Sequence, residues 1–209
     1  NSGRNTGLPK NRKRRSGGAL LTCFLKDNTD GKPDARRKAV IICPGGGYEF
    51  CSTREGEPAA FQFLAMDCQA FVLHYSTDPG IFPEALCELA AAVALIRRRA
   101  GEWHIEPDGI CVCGFSAGGH LAACAAAMAA QRPNAAILGY PVIDKATVET
   151  YLPGAPDAAL GVDEHTCPCF VFAGRNDTTV PVANTLAWLG ALTRYDISYE
   201  GHIYSQADH

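Results

Sequence analysis

The stretch Gly109-Ile110-Cys111-Val112-Cys113-Gly114-Phe115-Ser116-Ala117-Gly118-Gly119 begins as an apolar run, turns at a glycine-flanked serine and opens into an alanine-rich segment carrying Leu121 and Met128. The apolar run Gly109 to Cys113 reads as a buried strand, and Ala117 to Gln131 reads as a helix. A G-x-S-x-G motif carries meaning only in such a strand–turn–helix setting. The reason is steric. A serine lifted clear of a sheet must sit on a sharp, strained turn. The residues two before and two after then approach other backbone too closely to carry a side chain, hence Gly114 and Gly118. The helix N-terminus adds bare N–H groups and a positive dipole end, both suited to developing negative charge. A dinucleotide-binding turn also joins strand to helix through glycines, but its G-x-G-x-x-G would need glycine where Ser116 stands. Ser116 is the candidate nucleophile.

Outward from this turn, short apolar runs alternate with longer helical patterns. Ala39 to Cys43, Ala70 to His74, Ala135 to Leu138, Cys169 to Ala173 and Ile197 to Tyr204 read as further strands. All but the last are apolar throughout, as expected of strands covered on both faces. Glu57 to Met66, Pro83 to Ala100 and Val182 to Leu192 read as helices between them. Such alternation predicts an α/β fold with a mostly parallel central sheet and helices on both faces, a three-layer sandwich. Sites in such sheets gather at the carboxyl ends of the strands. Residues 1–18 read as a basic, flexible segment and 19–209 as a single domain. Gly7 to Ser16 and Asn28 to Arg37 read as loop. Lys145 to Pro168 is the least periodic internal stretch and is expected to carry substrate contacts or to be partly disordered.

Pro44-Gly45-Gly46-Gly47-Tyr48 follows directly on the run Ala39 to Cys43. Three glycines leave backbone N–H groups uncovered and able to converge on one atom, which is what a tetrahedral oxyanion requires. Esterases use an H-G-G-G form of this loop; Pro44 replaces the histidine, and the donors, being backbone groups, are unaffected. No Gly-Lys-Ser/Thr follows, so a phosphate loop is a poor alternative.

Serine needs an adjacent base, and the base needs a third group to orient it. Where the nucleophile sits on an elbow of this kind, acid and histidine follow it in that order. Asp177, just past the run Cys169 to Ala173, is the expected acid. Asp144 is the second choice and reads equally as a helix cap. Of six histidines, His74 and His104 precede Ser116, and His120 lies one turn along the helix, where a structural role is expected. His165 precedes Asp177, and His202 lies inside the last strand. His209 remains, in the loop after that strand. A base on an untethered terminus would be badly positioned, so further residues are expected beyond it.

With these pieces placed, the sequence resembles the acetyl esterase and acetylxylan esterase-like branch of the α/β hydrolases, over about Val40 to His209. The motifs that carry the resemblance are Cys43 to Tyr48, Ser52 to Glu57, Phe71 to Ser76, Gly114 to Ala122, Tyr140 to Val142, Asn176 to Val182 and Glu200 to Tyr204, in the family's order. The resemblance implies the α/β-hydrolase fold, a triad of Ser116, Asp177 and His209, and oxyanion donors at Gly46, Gly47 and Ala117. It also implies removal of small acyl groups, acetyl especially, from carbohydrates, with no metal or organic cofactor. The segment Asp144 to Thr166 is short for the family. Little room remains for a large cap domain, which favours an open pocket and a small acyl group; Tyr48, Phe50 and Tyr75 are candidates to line it. An amidase or peptidase, an aryl formamidase, and a catalytically inactive binding module on the same fold are the alternatives.

Composition narrows the remaining choices. At 209 residues, 47% hydrophobic, the chain can fill one core but is short for two. A net charge of -3 gives no general attraction to nucleic acid or membrane, and the basic run at Lys10, Arg12, Lys13, Arg14 and Arg15 reads as a solvated tail. No apolar stretch approaches the roughly 20 residues needed to span a bilayer. No signal peptide is visible, although the chain starts at Asn1 rather than Met, as a processed chain would. Cys43, Cys87, Cys111, Cys113, Cys124 and Cys169 fall in apolar or helical runs that suit buried thiols. The Cys111/Cys113 and Cys167/Cys169 pairs lack the C-x-x-C spacing of a zinc site. A reducing, cytoplasmic compartment is expected, with secretion the alternative if a leader was removed. The expected partner is a small-molecule or carbohydrate ester, not nucleic acid or membrane; the oligomeric state is left open.

Overall fold

A computed structural model describes residues 18–29, 32–77 and 82–209. All but the last residue of the segment expected to be flexible lies outside them. Among the described residues seven strands, β1 (Leu20–Phe24), β2 (Arg37–Cys43), β3 (Gln69–His74), β4 (Ile105–Phe115), β5 (Ala135–Gly139), β6 (Cys169–Gly174) and β7 (Tyr199–Tyr204), form one sheet in the order β1-β3-β2-β4-β5-β6-β7. Only β1 is antiparallel to its neighbour. The described helices of four residues or more are α1 (Glu57–Ala65), α2 (Phe82–Arg98), α3 (Ser116–Met128), α4 (Lys145–Tyr151) and α5 (Ala183–Arg194).

Alternation along β2 builds both core layers. Ala39, Ile41 and Cys43 pack with Phe71, Leu73, Val112 and the apolar faces of α2, α3 and α5. Val40 and Ile42 point the other way, onto Ala60 of α1 with Ala70 and Val72. Each fully buried Ile or Phe here contributes roughly 2 kcal/mol of transfer free energy. α3 is buried along nearly its whole length. Its run of alanines and glycines lets the helix lie close against the sheet, which is how a central helix can carry so little side-chain volume and still pack.

Two expectations about the strands are corrected. β5 and β6 are not covered evenly, since Phe170 on β6 is exposed, and β7 is an exposed edge. β4 begins at Ile105 rather than Gly109, because the turn-like Pro107-Asp108-Gly109 is absorbed as an irregularity in its pairing with β2 between Arg37 and Ala39. No disulfide joins any of the ten cysteines. Five of the six thiols expected inside are at least half-buried; Cys87 is the exception, exposed on α2.

Among the described residues no helix is long and apolar enough to cross a membrane.

Candidate active site

Ser116 is the last point of the climb from β4 into α3. It takes φ of 53°, a left-handed conformation that a side-chain-bearing residue adopts only under constraint, and it is buried. The constraint is visible in its two glycines. A Cβ on Gly114 would fall 2.2 Å from Gly118 O, and one on Gly118 would fall 2.1 Å from Cys43 O. The first turn of α3 is therefore pressed against the end of β2, which sets Ser116 beside the loop that leaves that strand.

That loop, residues 44–50, is shaped by what its carbonyls accept. Gly45 O receives Ser52 N–H at 2.9 Å, and Gly46 O receives Glu49 and Phe50 N–H at 2.9 and 3.3 Å. In a trans peptide the C=O and the following N–H point opposite ways. The Gly46 and Gly47 amides are thus turned away from these internal bonds, and among the described residues neither donates a hydrogen bond. Gly46 (φ 126°), Gly47 (φ 60°) and Tyr48 (φ 56°) take positive φ in succession to make this possible.

Beneath the loop, Tyr75 Oη donates to Pro44 O at 2.6 Å and Tyr48 Oη donates to His120 Nδ1 at 2.7 Å. His120 Nε2–H donates in turn to Pro156 O at 2.9 Å. Burial holds this imidazole neutral, with its pKa lowered to about 4. Tyr48 and Tyr75, expected to face substrate, are instead turned into the core and support the loop from below, and burial pushes both phenols well above their usual range. Phe50 is exposed.

Asp177 and His209 meet at the same end of the sheet. His209 Nδ1 lies 2.7 Å from Asp177 Oδ2, and Asp177 Oδ1 accepts Thr179 and Val180 N–H at 2.9 and 2.8 Å. The carboxylate is fully buried and the imidazole partly open. The segment bearing His209 is fastened to the loop after β6. Arg175 N–H donates to Tyr204 O, and Asn176 N–H donates to Ala207 O. Tyr140, after β5, packs against both the strand end that precedes Ser116 and the histidine. Its ring lies 5.9 Å from that of Phe115 and 4.7 Å, edge-on, from that of His209.

Asp144, the second-choice acid, is occupied elsewhere. It caps α4, accepting Thr147 N–H at 2.8 Å. His165 is exposed, and His202 is paired to Glu200 at the edge strand, stacked on Tyr204 and tilted against Phe170. Two residues at the site are given no role by the sequence. Glu55 accepts Gly45 N–H and Tyr140 O–H, although it lies within the quoted motif Ser52 to Glu57. Tyr151, at the end of α4, places its ring against Gly47 and donates its hydroxyl to Thr179 O at 2.9 Å. The segment expected to carry substrate contacts supplies it. Among the described residues no group of three or more His, Cys, Asp or Glu is arranged to hold a metal ion.

A family model described by its alpha/beta hydrolase fold matches residues 40–191. The chain belongs to the α/β-hydrolase family. Its similarity within α/β hydrolases is to carboxylic ester hydrolases. It is 28% identical to an acetylxylan esterase of Xylanibacter ruminicola, over 92% of this chain and 44% of that protein. Of solved structures, MGS-M1, an α/β hydrolase enzyme from a Medee basin deep-sea metagenome library, superimposes with a TM-score of 0.86 at 38% identity, covering 93% of this chain and 79% of its own. An acetyl ester-xyloside bifunctional hydrolase from Caldicellulosiruptor lactoaceticus gives 0.82 at 28% identity, covering 90% and 78%. The chain spans only 33% and 44% of the first curated relatives it matches.

Proposed function

We propose that this α/β hydrolase is a serine carboxylester hydrolase that removes short acyl groups, acetyl above all, from carbohydrate esters. The observation that carries this reading is the buried Asp177–His209 pair, set at the same end of the sheet as the strained Ser116 elbow and the Gly46–Gly47 loop. With Nδ1–H engaged by Asp177, Nε2 is the nitrogen left to accept a proton.

Ser116 Oγ bonds to the ester carbonyl carbon as His209 Nε2 takes its proton, and Asp177 stabilises the imidazolium. Negative charge on the former carbonyl oxygen is held by the Gly46, Gly47 and Ala117 amides, the last at the N-terminus of α3, where the helix dipole adds to the donors. The C–O bond to the alcohol then breaks, and the alcohol leaves with the proton from His209. Water attacks the acyl-enzyme with His209 again as base, releasing the acid and restoring Ser116.

A short acyl group is supported by Tyr151, whose ring rests against Gly47 and whose hydroxyl is tied to Thr179 O. The carbohydrate half is carried over from relatives named for acetylxylan and for acetyl ester-xyloside hydrolysis. Phe50, exposed in the same loop, is available to pack against a sugar. Ser116→Ala is expected to abolish turnover of p-nitrophenyl acetate with the fold intact. Release of acetate from acetylated xylan should exceed release from simple alkyl acetates. Undiminished turnover by Ser116→Ala would overturn the reading.

A further inference from the structure

Glu55 lies in the turn between the loop after β2 and helix α1, and its one carboxylate reaches two separate parts of the site. Oε2 accepts Gly45 N–H at 2.7 Å, and Oε1 accepts Tyr140 O–H at 2.9 Å. Contact with the loop is direct, since a Cβ on Gly45 would lie 2.8 Å from Oε2. The backbone reinforces it: Glu55 N–H donates to Ser52 O, and Ser52 N–H donates to Gly45 O. Segment 52–55 thus grips both the N–H and the C=O of Gly45, the residue that leads into the two outward-turned amides.

Tyr140 carries the tie across the sheet. Its N–H donates to Phe172 O at 2.6 Å, its φ is 36°, and its ring is wedged among Phe115, Phe172 and His209. Burial, together with the charge of Glu55, pushes the phenol well above its usual range, so the hydroxyl stays a donor. A two-hydrogen-bond carboxylate therefore spans the loop after β2 and the residue after β5, and the ring of Tyr140 extends the connection to the imidazole after β7.

We propose that Glu55 is a positioning residue of this site: one carboxylate keeps the Gly45–Gly47 amides and, through Tyr140, the His209 imidazole in register around Ser116. This rests on the esterase reading above. The role is geometric, and glutamine can fill it. The amide oxygen of a glutamine can accept Gly45 N–H while its NH2 donates to Tyr140 Oη. Alanine can do neither.

The test compares Glu55→Ala, Glu55→Gln and Tyr140→Phe in the full chain, reading kcat and KM on p-nitrophenyl acetate and the rate at which a fluorophosphonate labels Ser116. Glu55→Ala is expected to lower kcat and the labelling rate about 100-fold with KM within about twofold, as when an oxyanion donor is displaced. Glu55→Gln should keep at least about a third of wild-type kcat, and Tyr140→Phe, which breaks only one of the two bonds, should lose about fivefold. Wild-type kcat in Glu55→Ala, or in Tyr140→Phe where the alanine variant does not fold, would overturn the proposal. So would a glutamine variant as impaired as the alanine one, which would mark a charge effect. Ser116→Ala separates the two ideas: if it is inactive while Glu55→Ala is not, only the positioning role fails.

Discussion

Asp177 and His209 share a 2.7 Å hydrogen bond from Nδ1 to a carboxylate that is fully buried, and the second oxygen of that carboxylate is already held by the Thr179 and Val180 amides. The aspartate therefore has one orientation available, and the imidazole inherits it. Asp177→Asn would keep the two amide bonds on its oxygen but present NH2 to Nδ1. The histidine would then carry its proton on Nε2, the nitrogen that must receive one from Ser116. A kcat lower by about four orders of magnitude, with KM little changed and the thermal transition retained, is the expected result. A loss below about tenfold would remove Asp177 from the proposed mechanism.

Tyr151 and Gly47 define the second expectation. The ring lies close enough that a Cβ on Gly47 would be 3.3 Å from Tyr151 Cδ1, and the hydroxyl is fixed to Thr179 O. Tyr151→Ala removes this wall while leaving Ser116, Asp177, His209 and the loop glycines themselves unsubstituted. The ratio of kcat/KM for p-nitrophenyl hexanoate to that for the acetate should rise about tenfold or more, since a few methylenes gain a pocket they now lack. An unchanged ratio would show that the acyl group is limited elsewhere.

The difference between what the sequence revealed and what it concealed is one of range. Ser116, Gly114 and Gly118 are legible because their constraint is local: five residues of chain fix the elbow, and the clashes that forbid side chains lie within it and at the adjacent strand end. β2 and β3 are legible because burial on both faces removes polar residues from the run. Asp177 and His209 lie 32 residues apart, and only the order of elements suggests that they meet. α4 was hidden because Lys145–Tyr151 buries just Val148 and so has no apolar stripe. β1 was hidden because a five-residue edge strand with exposed positions resembles loop. Tyr48 and Tyr75 misled for a related reason. An aromatic residue beside a glycine loop has the same sequence signature whether it faces solvent or supports the loop from below, and here the hydrogen bonds to His120 and Pro44 O turn both rings inward.

Gly118 tests the packing of the elbow separately from its chemistry. An added methyl would meet the backbone oxygens of Cys43 and Pro44 at 2.1 and 2.4 Å. These belong to the strand end and the loop, not to a side chain that can rotate away. Gly118→Ala should destabilise the fold by about 3 kcal/mol, measured by urea unfolding, and should reduce activity further in whatever remains folded. Stability within about 0.5 kcal/mol of wild type would mean that β2 and α3 can separate more freely than their contact implies.

His120 supplies a pH dependence whose sign is fixed by its burial. Its imidazole is fully enclosed, receives a hydrogen bond from Tyr48 and donates one to Pro156 O, an arrangement that only the neutral form can satisfy. The folded pKa is lowered from 6.5 to about 4, chiefly by desolvation. As pH falls below about 6.5 the unfolded chain takes up a proton that the folded chain refuses. Each step downward then favours unfolding, until the folded imidazole protonates as well near 4. The stability this residue withdraws between those limits is about 3 kcal/mol, all of it present at neutral pH. His120→Gln can accept from Tyr48 and donate to Pro156 O without titrating, so its unfolding free energy should fall less steeply than that of wild type between pH 6.5 and 4. Parallel curves for the two proteins across that interval would show that the imidazole is not the group whose protonation opposes folding.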